Sequence, residues 1–173
     1  MIVTIYKVTH APDCPRLILP EDAMEVVRAP DTLTRCKRWP ANPVVAKRAQ
    51  RGDVLPKQFY FVDDSVLVLP ESMLLKYEEI HWVTAYNATA ERIVAGGVNF
   101  ELIDILEALP PDRQRGAPCL VDKHYTPLFR IESDRLGIYA SAGHLEPQDE
   151  LVGACQYLGL NGLVFDPVWS GEV

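Results

Sequence analysis

Leu151-Val-Gly-Ala-Cys-Gln-Tyr-Leu-Gly-Leu-Asn-Gly-Leu-Val-Phe-Asp-Pro-Val168 decides the fold class, because a helix signal and a strand signal stand side by side in it. Leu151, Val152, Ala154, Cys155 and Leu158 recur at helical spacing. Pro147 suits the first helical position, and Gln148, Asp149 and Glu150 bring acid to the positive end of the helix dipole. Gly159 ends the helix, and Leu160-Asn161-Gly162 makes a tight connection from residues that tolerate positive φ. Leu163 to Phe165 then enters a final strand, which Pro167 is expected to end. The spacing therefore predicts a closing helix-turn-strand unit.

Working back from this tail, short strands predominate. Leu128 to Glu132, Leu136 to Ala140 and Cys119 to Asp122 have strand composition, and Gly96-Gly97 reads as a turn. Phe100 to Leu106 is ambiguous: it reads as a strand, or as a helix capped by Asn99 with Leu102, Ile103 and Leu106 on its inner face. Phe59 to Val62 and Ser65 to Leu69 flank Asp63-Asp64 as two short strands or as a tight turn leading to one. A short helix is expected from Pro70-Glu71-Ser72 to about Glu79, with Met73, Leu74 and Tyr77 on one stripe, and Ile80 to Tyr86 returns to strand. Near the start, Ile2 to Val8 and Met24 to Arg28 read as strands, separated by a loop holding Asp13, Pro15, Pro20 and Glu21. Four prolines between Pro30 and Pro56 predict irregular structure there. The expected fold is α+β: a single domain, 1–173, with a mixed or antiparallel sheet and a few short helices. A subdivision near residue 57, giving an N-terminal subdomain 1–57, stays open.

The 173 residues, 48% hydrophobic and 24% charged, are enough for a buried core and too few for a large multidomain enzyme. Net charge is -7, which opposes general binding to nucleic acid or to anionic membranes and suits a basic partner. The charge is uneven. Residues 1–57 carry ten Lys or Arg against six Asp or Glu, and residues 58–173 carry seven against eighteen. The basic excess, Arg35 to Lys57, lacks aromatic repeats and glycine-rich loops, and one Trp39 makes no stacking platform. The four cysteines form no C-x-x-C pair, which fits reduced thiols in a cytoplasmic protein. The start reads as a strand and not as a signal peptide, and every apolar run is interrupted before membrane-spanning length.

Catalytic signatures are absent: no G-x-S-x-G, no phosphate-binding glycine loop, no H-E-x-x-H. His144-Leu145-Glu146 imitates a deaminase H-x-E without the accompanying P-C-x-x-C. Asp122, Lys123 and His124 would suit acid-base work, but nothing places His10, His81, His124 and His144 together. No catalytic residue, metal or cofactor is expected. The acidic pairs Asp63-Asp64 and Glu78-Glu79, with Trp82, are the expected partner-binding residues, because acids speed encounter with a basic partner and Trp favours binding hot spots.

The ending, from Leu128-Phe-Arg-Ile through Gly137-Ile-Tyr-Ala-Ser-Ala to Gly162-Leu-Val-Phe-Asp-Pro-Val, resembles the immunity-protein eleven family of bacterial polymorphic toxin systems. Its members close with a Phe-Arg strand, a short strand, a helix and a Gly-Leu-Thr-Gly-Leu-x-Phe-x-Pro-Val-like ending. Asn161 stands where Thr is expected, and the basic, proline-rich N-terminal third does not align. Gly159 and Gly162 correspond to the turn, Phe165 and Val168 to the core. Val66-Leu-Val-Leu-Pro-Glu-Ser is similar to the family's central strand-to-helix step, and the resemblance favours a strand at Phe100 to Leu106. It implies a cytoplasmic immunity protein that performs no chemistry and binds a cognate toxin stoichiometrically, a basic nuclease-type effector being one such partner. The alternatives are a small cytosolic enzyme with a dispersed active site, and a regulatory module using the basic segment 35–57.

Overall fold

A computed structural model describes residues 2–12, 16–28, 38–40, 43–48, 59–62, 64–72, 88–103, 105, 108–109, 128–147 and 150–172. Branched residues alternate along β1 (Ile2–His10), which pairs antiparallel with both β11 (Asp134–Ala142) and β12 (Leu163–Glu172). β10 (Leu128–Ile131) adds to β11 through a two-residue turn, and the short β9 (Ala108–Leu109) runs parallel to β10. The first sheet is thus ordered β12-β1-β11-β10-β9.

The second sheet is built from β2 (Leu17–Ile18), β3 (Val44–Val45), β4 (Lys47–Arg48), β5 (Tyr60–Val62), β6 (Val66–Pro70), β7 (Ala88–Ala95) and β8 (Val98–Ile103), in the order β3-β7-β8-β6-β5-β2-β4. Its two ends are one piece of chain. Only Ala46 separates β3, on β7, from β4, on β2, and the Ala46 amide donates to the Val94 carbonyl at 2.8 Å. The sheet therefore closes on itself as a small barrel, with Val44 and Ala46 buried and Val45 and Lys47 exposed, as alternation around a barrel wall requires. The described pieces of residues 1–57 enter both sheets, β1 the first and β2 to β4 the second.

This closure explains why Val66 to Leu69 is apolar at every position: both faces of β6 are buried. One face lines the barrel interior, where Tyr60, Val62, Val66, Val68, Phe100 and Leu102 pack with Ala23 and Val27 of α1 (Glu21–Val27). The other face presents Phe59, Phe61, Leu67, Leu69 and Ile103 to Val8, Leu128, Ile138 and Ala140 of the first sheet, together with α2 (Leu151–Tyr157). Each large side chain buried this way contributes about 1.5–3 kcal/mol. The protein is α+β, with mostly strands in two sheets and two helices among the described residues.

Several expectations hold. Gly96-Gly97 is a two-residue turn with both φ positive, joining Ala95 to its partner Val98. The hairpin makes Val98–Ile103 a strand and settles the ambiguity at Phe100 against the helix. Asp64 and Ser65 turn between antiparallel β5 and β6. The end of α2 is a Schellman motif: the Leu160 amide bonds Cys155 O at 2.8 Å and the Gly159 amide bonds Gln156 O at 3.4 Å, with Gly159 at φ 62°.

Others need correction. Met24 to Arg28 lies mostly in helix α1 and not in a strand: Ala23, Val26 and Val27 fall at i, i+3 and i+4 on the buried side, and Glu21 and Asp22 acidify the first turn. β7 has no counterpart in the sequence reading. Pro147 precedes α2, whose N-cap is Glu150. Pro167 does not end the last strand, which continues to Glu172 after a one-residue bulge at Val168. Val168 is 52% exposed and so is not core, whereas Phe165 packs partly buried against Tyr6. Glu71 and Ser72 are helical, but the helix expected through Met73, Leu74 and Tyr77 to Glu79, and the strands at Ile80 to Tyr86 and Cys119 to Asp122, lie outside the described residues.

Candidate functional site

The turn between β5 and β6 is gripped from two directions. On one side Arg16 Nη2 stands 3.0 Å from the Asp64 carboxylate, and His10 Nε2 stands 3.5 Å from the same oxygen. The His10 Nδ1–H donates to Ala11 O at 3.0 Å, which leaves Nε2 as the acceptor for Arg16 Nη2. The imidazole also packs edge-on to Phe61, with ring centroids 5.9 Å apart. On the other side Arg130, two residues beyond Leu128 and on the same face of β10, donates from Nη2 to Ser65 O at 2.8 Å and from Nη1 to Gly137 O at 3.4 Å.

Of the expected partner-binding residues, the structure places Asp64; Asp63, Glu78, Glu79 and Trp82 lie outside the described residues. Asp64 is 70% exposed, so a partner can reach it, but Arg16 shares its charge. An ion pair this exposed stabilises the turn by about 0–1 kcal/mol. Glu21, Asp22 and Glu25 on α1, Glu132 after β10, and Asp166 and Glu172 on β12 are further exposed acids. Of the basic segment, Arg38 and Lys47 are described and exposed, and Trp39 packs partly buried against the barrel core.

Two other polar clusters have structural chemistry. Glu150 is buried, and its carboxylate accepts backbone N–H bonds from Gly143 at 2.7 Å, His144 at 2.7 Å and Leu145 at 2.9 Å. The acid assigned from sequence to the dipole of its own helix instead holds the loop after β11. Burial pushes the neighbouring His144 imidazole down, the Glu150 charge opposing this in part. On β1 and β11, Asp134 accepts from Tyr139 Oη at 2.6 Å, Lys7 Nζ at 3.1 Å and the Gly137 amide at 3.1 Å. The Tyr139 bond above all, then Lys7, holds the Asp134 carboxyl below its usual range, while burial and Asp134 push Tyr139 up. Tyr139 is thus a donor here and no base.

These clusters do not converge. Register with Thr4↔Ala142 sets His144 beside Ile2, eight residues along β1 from His10, or about 26 Å in a strand. Asp122, Lys123, His124 and His81 lie outside the described residues. Among the described residues no three His, Cys, Asp or Glu gather as a metal site, and no helix is long and apolar enough to cross a membrane. Sequence reasoning missed Arg16 and Arg130, and it gave Glu150 to the helix dipole. The available signal was one charged residue inside the apolar strand Leu128-Phe129-Arg130-Ile131. Compared with known proteins, the chain matches no family model and no curated protein.

Proposed function

We propose that this chain is a cytoplasmic immunity protein that binds a cognate bacterial toxin in a stoichiometric complex and neutralises it, performing no chemistry itself. The reading is carried by the closing unit Leu151 to Val168, where helix, Schellman turn and strand follow in the order of the family that its sequence resembles. The acidic balance of residues 58–173 supports a basic effector of nuclease type, which such a surface attracts over a long range. Asp64, presented on a turn tied to both sheets, is the described residue suited to that encounter.

The test is co-expression with the protein encoded beside it. Relief of that protein's toxicity, with an equimolar complex by light scattering, is the expected result; unrelieved toxicity overturns the reading. Asp64→Lys is expected to slow association about threefold to tenfold at low salt, with the difference shrinking as salt rises. The grouping of His10, Arg16 and Asp64 favours one second reading, a dispersed active site. Under it His10→Ala abolishes an activity while leaving the fold intact.

A further inference from the structure

Among the described residues β12 has one strand neighbour, β1, and forms the long edge of the first sheet on which no further described strand lies. The second sheet closes as a barrel, and β9, at the far side of the first sheet, is two residues long. One hydrogen bond fixes the phase of the β1–β12 ladder. The Ala11 amide donates to Gly162 O at 2.9 Å, in the same register as His10↔Leu163. By antiparallel alternation, the backbone groups of Val164 and Asp166 face β1 and those of Leu163, Phe165 and Pro167 face outward. Pro167 therefore costs the ladder nothing, since its missing N–H falls on the open side. The open side offers N–H and C=O at Leu163 and Phe165 and C=O alone at Pro167, before the bulge at Val168 breaks the run.

We propose that this edge, Leu163 to Pro167, receives an extended basic segment of the partner protein as an added strand; the proposal rests on the binding reading above. Main-chain bonds would supply affinity, and alternate side chains specificity. The charge selects the guest. Open edges commonly carry Lys as a guard, but β12 contains Asp166 and Glu172 and no Lys or Arg. A second copy of this chain would bring the same acids against their own kind, and Pro167 denies it a pairing along all ten residues of β12. The edge is also continuous with the acidic turn: Leu163 lies opposite His10, whose ring meets Arg16 and Asp64.

The test uses a synthetic peptide of alternating Lys and Val, about six residues long to match an ordinary strand, and its Glu–Val twin. Hydrogen exchange is followed residue by residue. Saturating basic peptide is expected to slow exchange at the Leu163 and Phe165 amides about tenfold, leaving Val164 and Asp166 unchanged. The effect should fade with salt and be absent with the acidic peptide. Phe165→Pro, which deletes an outward N–H, is expected to lose the peptide, while Phe165→Leu, which keeps that N–H and loses the ring, keeps it. Unchanged exchange at both amides, equal slowing by the acidic peptide, or self-association through β12 each overturns the proposal. Relieved toxicity with no protection of Leu163 and Phe165 in the toxin complex overturns the docking edge and leaves the immunity reading standing.

Discussion

Arg130 on β10 and Ser65 in the β5–β6 turn meet across the two sheets: the guanidinium Nη2 donates to the carbonyl oxygen of the buried Ser65 at 2.8 Å. A charged donor on a backbone carbonyl is among the stronger hydrogen bonds a protein makes, and here it joins the first sheet to the barrel beside Asp64. The fold and the candidate binding surface thus share one side chain.

Arg130→Met keeps the apolar stem and removes the donor. Stability should fall by about 1–3 kcal/mol, read as a lower urea midpoint with unchanged slope. Amide exchange in the turn 64–65 should quicken before that in β6. Wild-type stability in this variant would mean that water replaces the guanidinium without loss.

Glu150→Gln replaces a carboxylate that accepts from Gly143, His144 and Leu145 with an amide that turns an N–H toward one of them. The expected loss is about 1–3 kcal/mol, with faster exchange at those three amides and at the first turn of α2. An unchanged midpoint would remove the clasp from the stability of the loop.

His144 titrates lower in the fold because it is buried, although the Glu150 charge favours its protonated form. The unfolded chain, with its imidazole near pH 6.5, then binds the proton more readily, so stability falls as pH drops below about 6.5. Thermal melts across about pH 5 to 8 should show this slope, and His144→Gln should flatten it. A slope identical in wild type and variant would assign the effect elsewhere.

Gly162 and Gly159 both have positive φ, 105° and 62°, but their surroundings differ. A Cβ at Gly162 would stand 2.5 Å from Phe59 O, whereas nothing lies within 4 Å of one at Gly159. Gly159→Ala should therefore cost about 1 kcal/mol of backbone strain, and Gly162→Ala roughly 2–4 kcal/mol because rigid backbone must also move. Equal melting temperatures for the two variants would contradict the close approach.

How much of this was legible followed from range. The unit Leu151 to Phe165 was readable because its signals, an apolar stripe and a Gly-Leu-Asn-Gly turn, are local. Met24 to Arg28 reads as a strand because Met24, Val26 and Val27 crowd it with apolar residues, while the barrel interior requires Ala23 and Val27 on one helical face. β7 was invisible because Ala88-Thr-Ala-Glu-Arg has little strand propensity by itself and gains its conformation from pairing with β8. Pro167 reads as a stop because sequence does not tell which side of a strand is open. Glu150 and Arg130 act on backbone atoms brought near by the fold, and no spacing rule announces such partners. Asp64 was found as an acid on a turn; its sharing by Arg16 and His10 was not.

The hydrogen bond between Thr4 and Ser170, 166 positions apart, fixes a schedule. Thr4 on β1 leaves the ribosome 166 positions ahead of its partner Ser170 on β12. At about 5–20 residues per second, β1 waits on the order of ten to thirty seconds before the first sheet can close. Until then its buried positions Val3 and Ile5 lack their β12 partners Gly171 and Trp169. In that interval the apolar face of β1 is open to whatever holds the growing chain, so the order of synthesis, and not the final fold, decides how long the face stays uncovered.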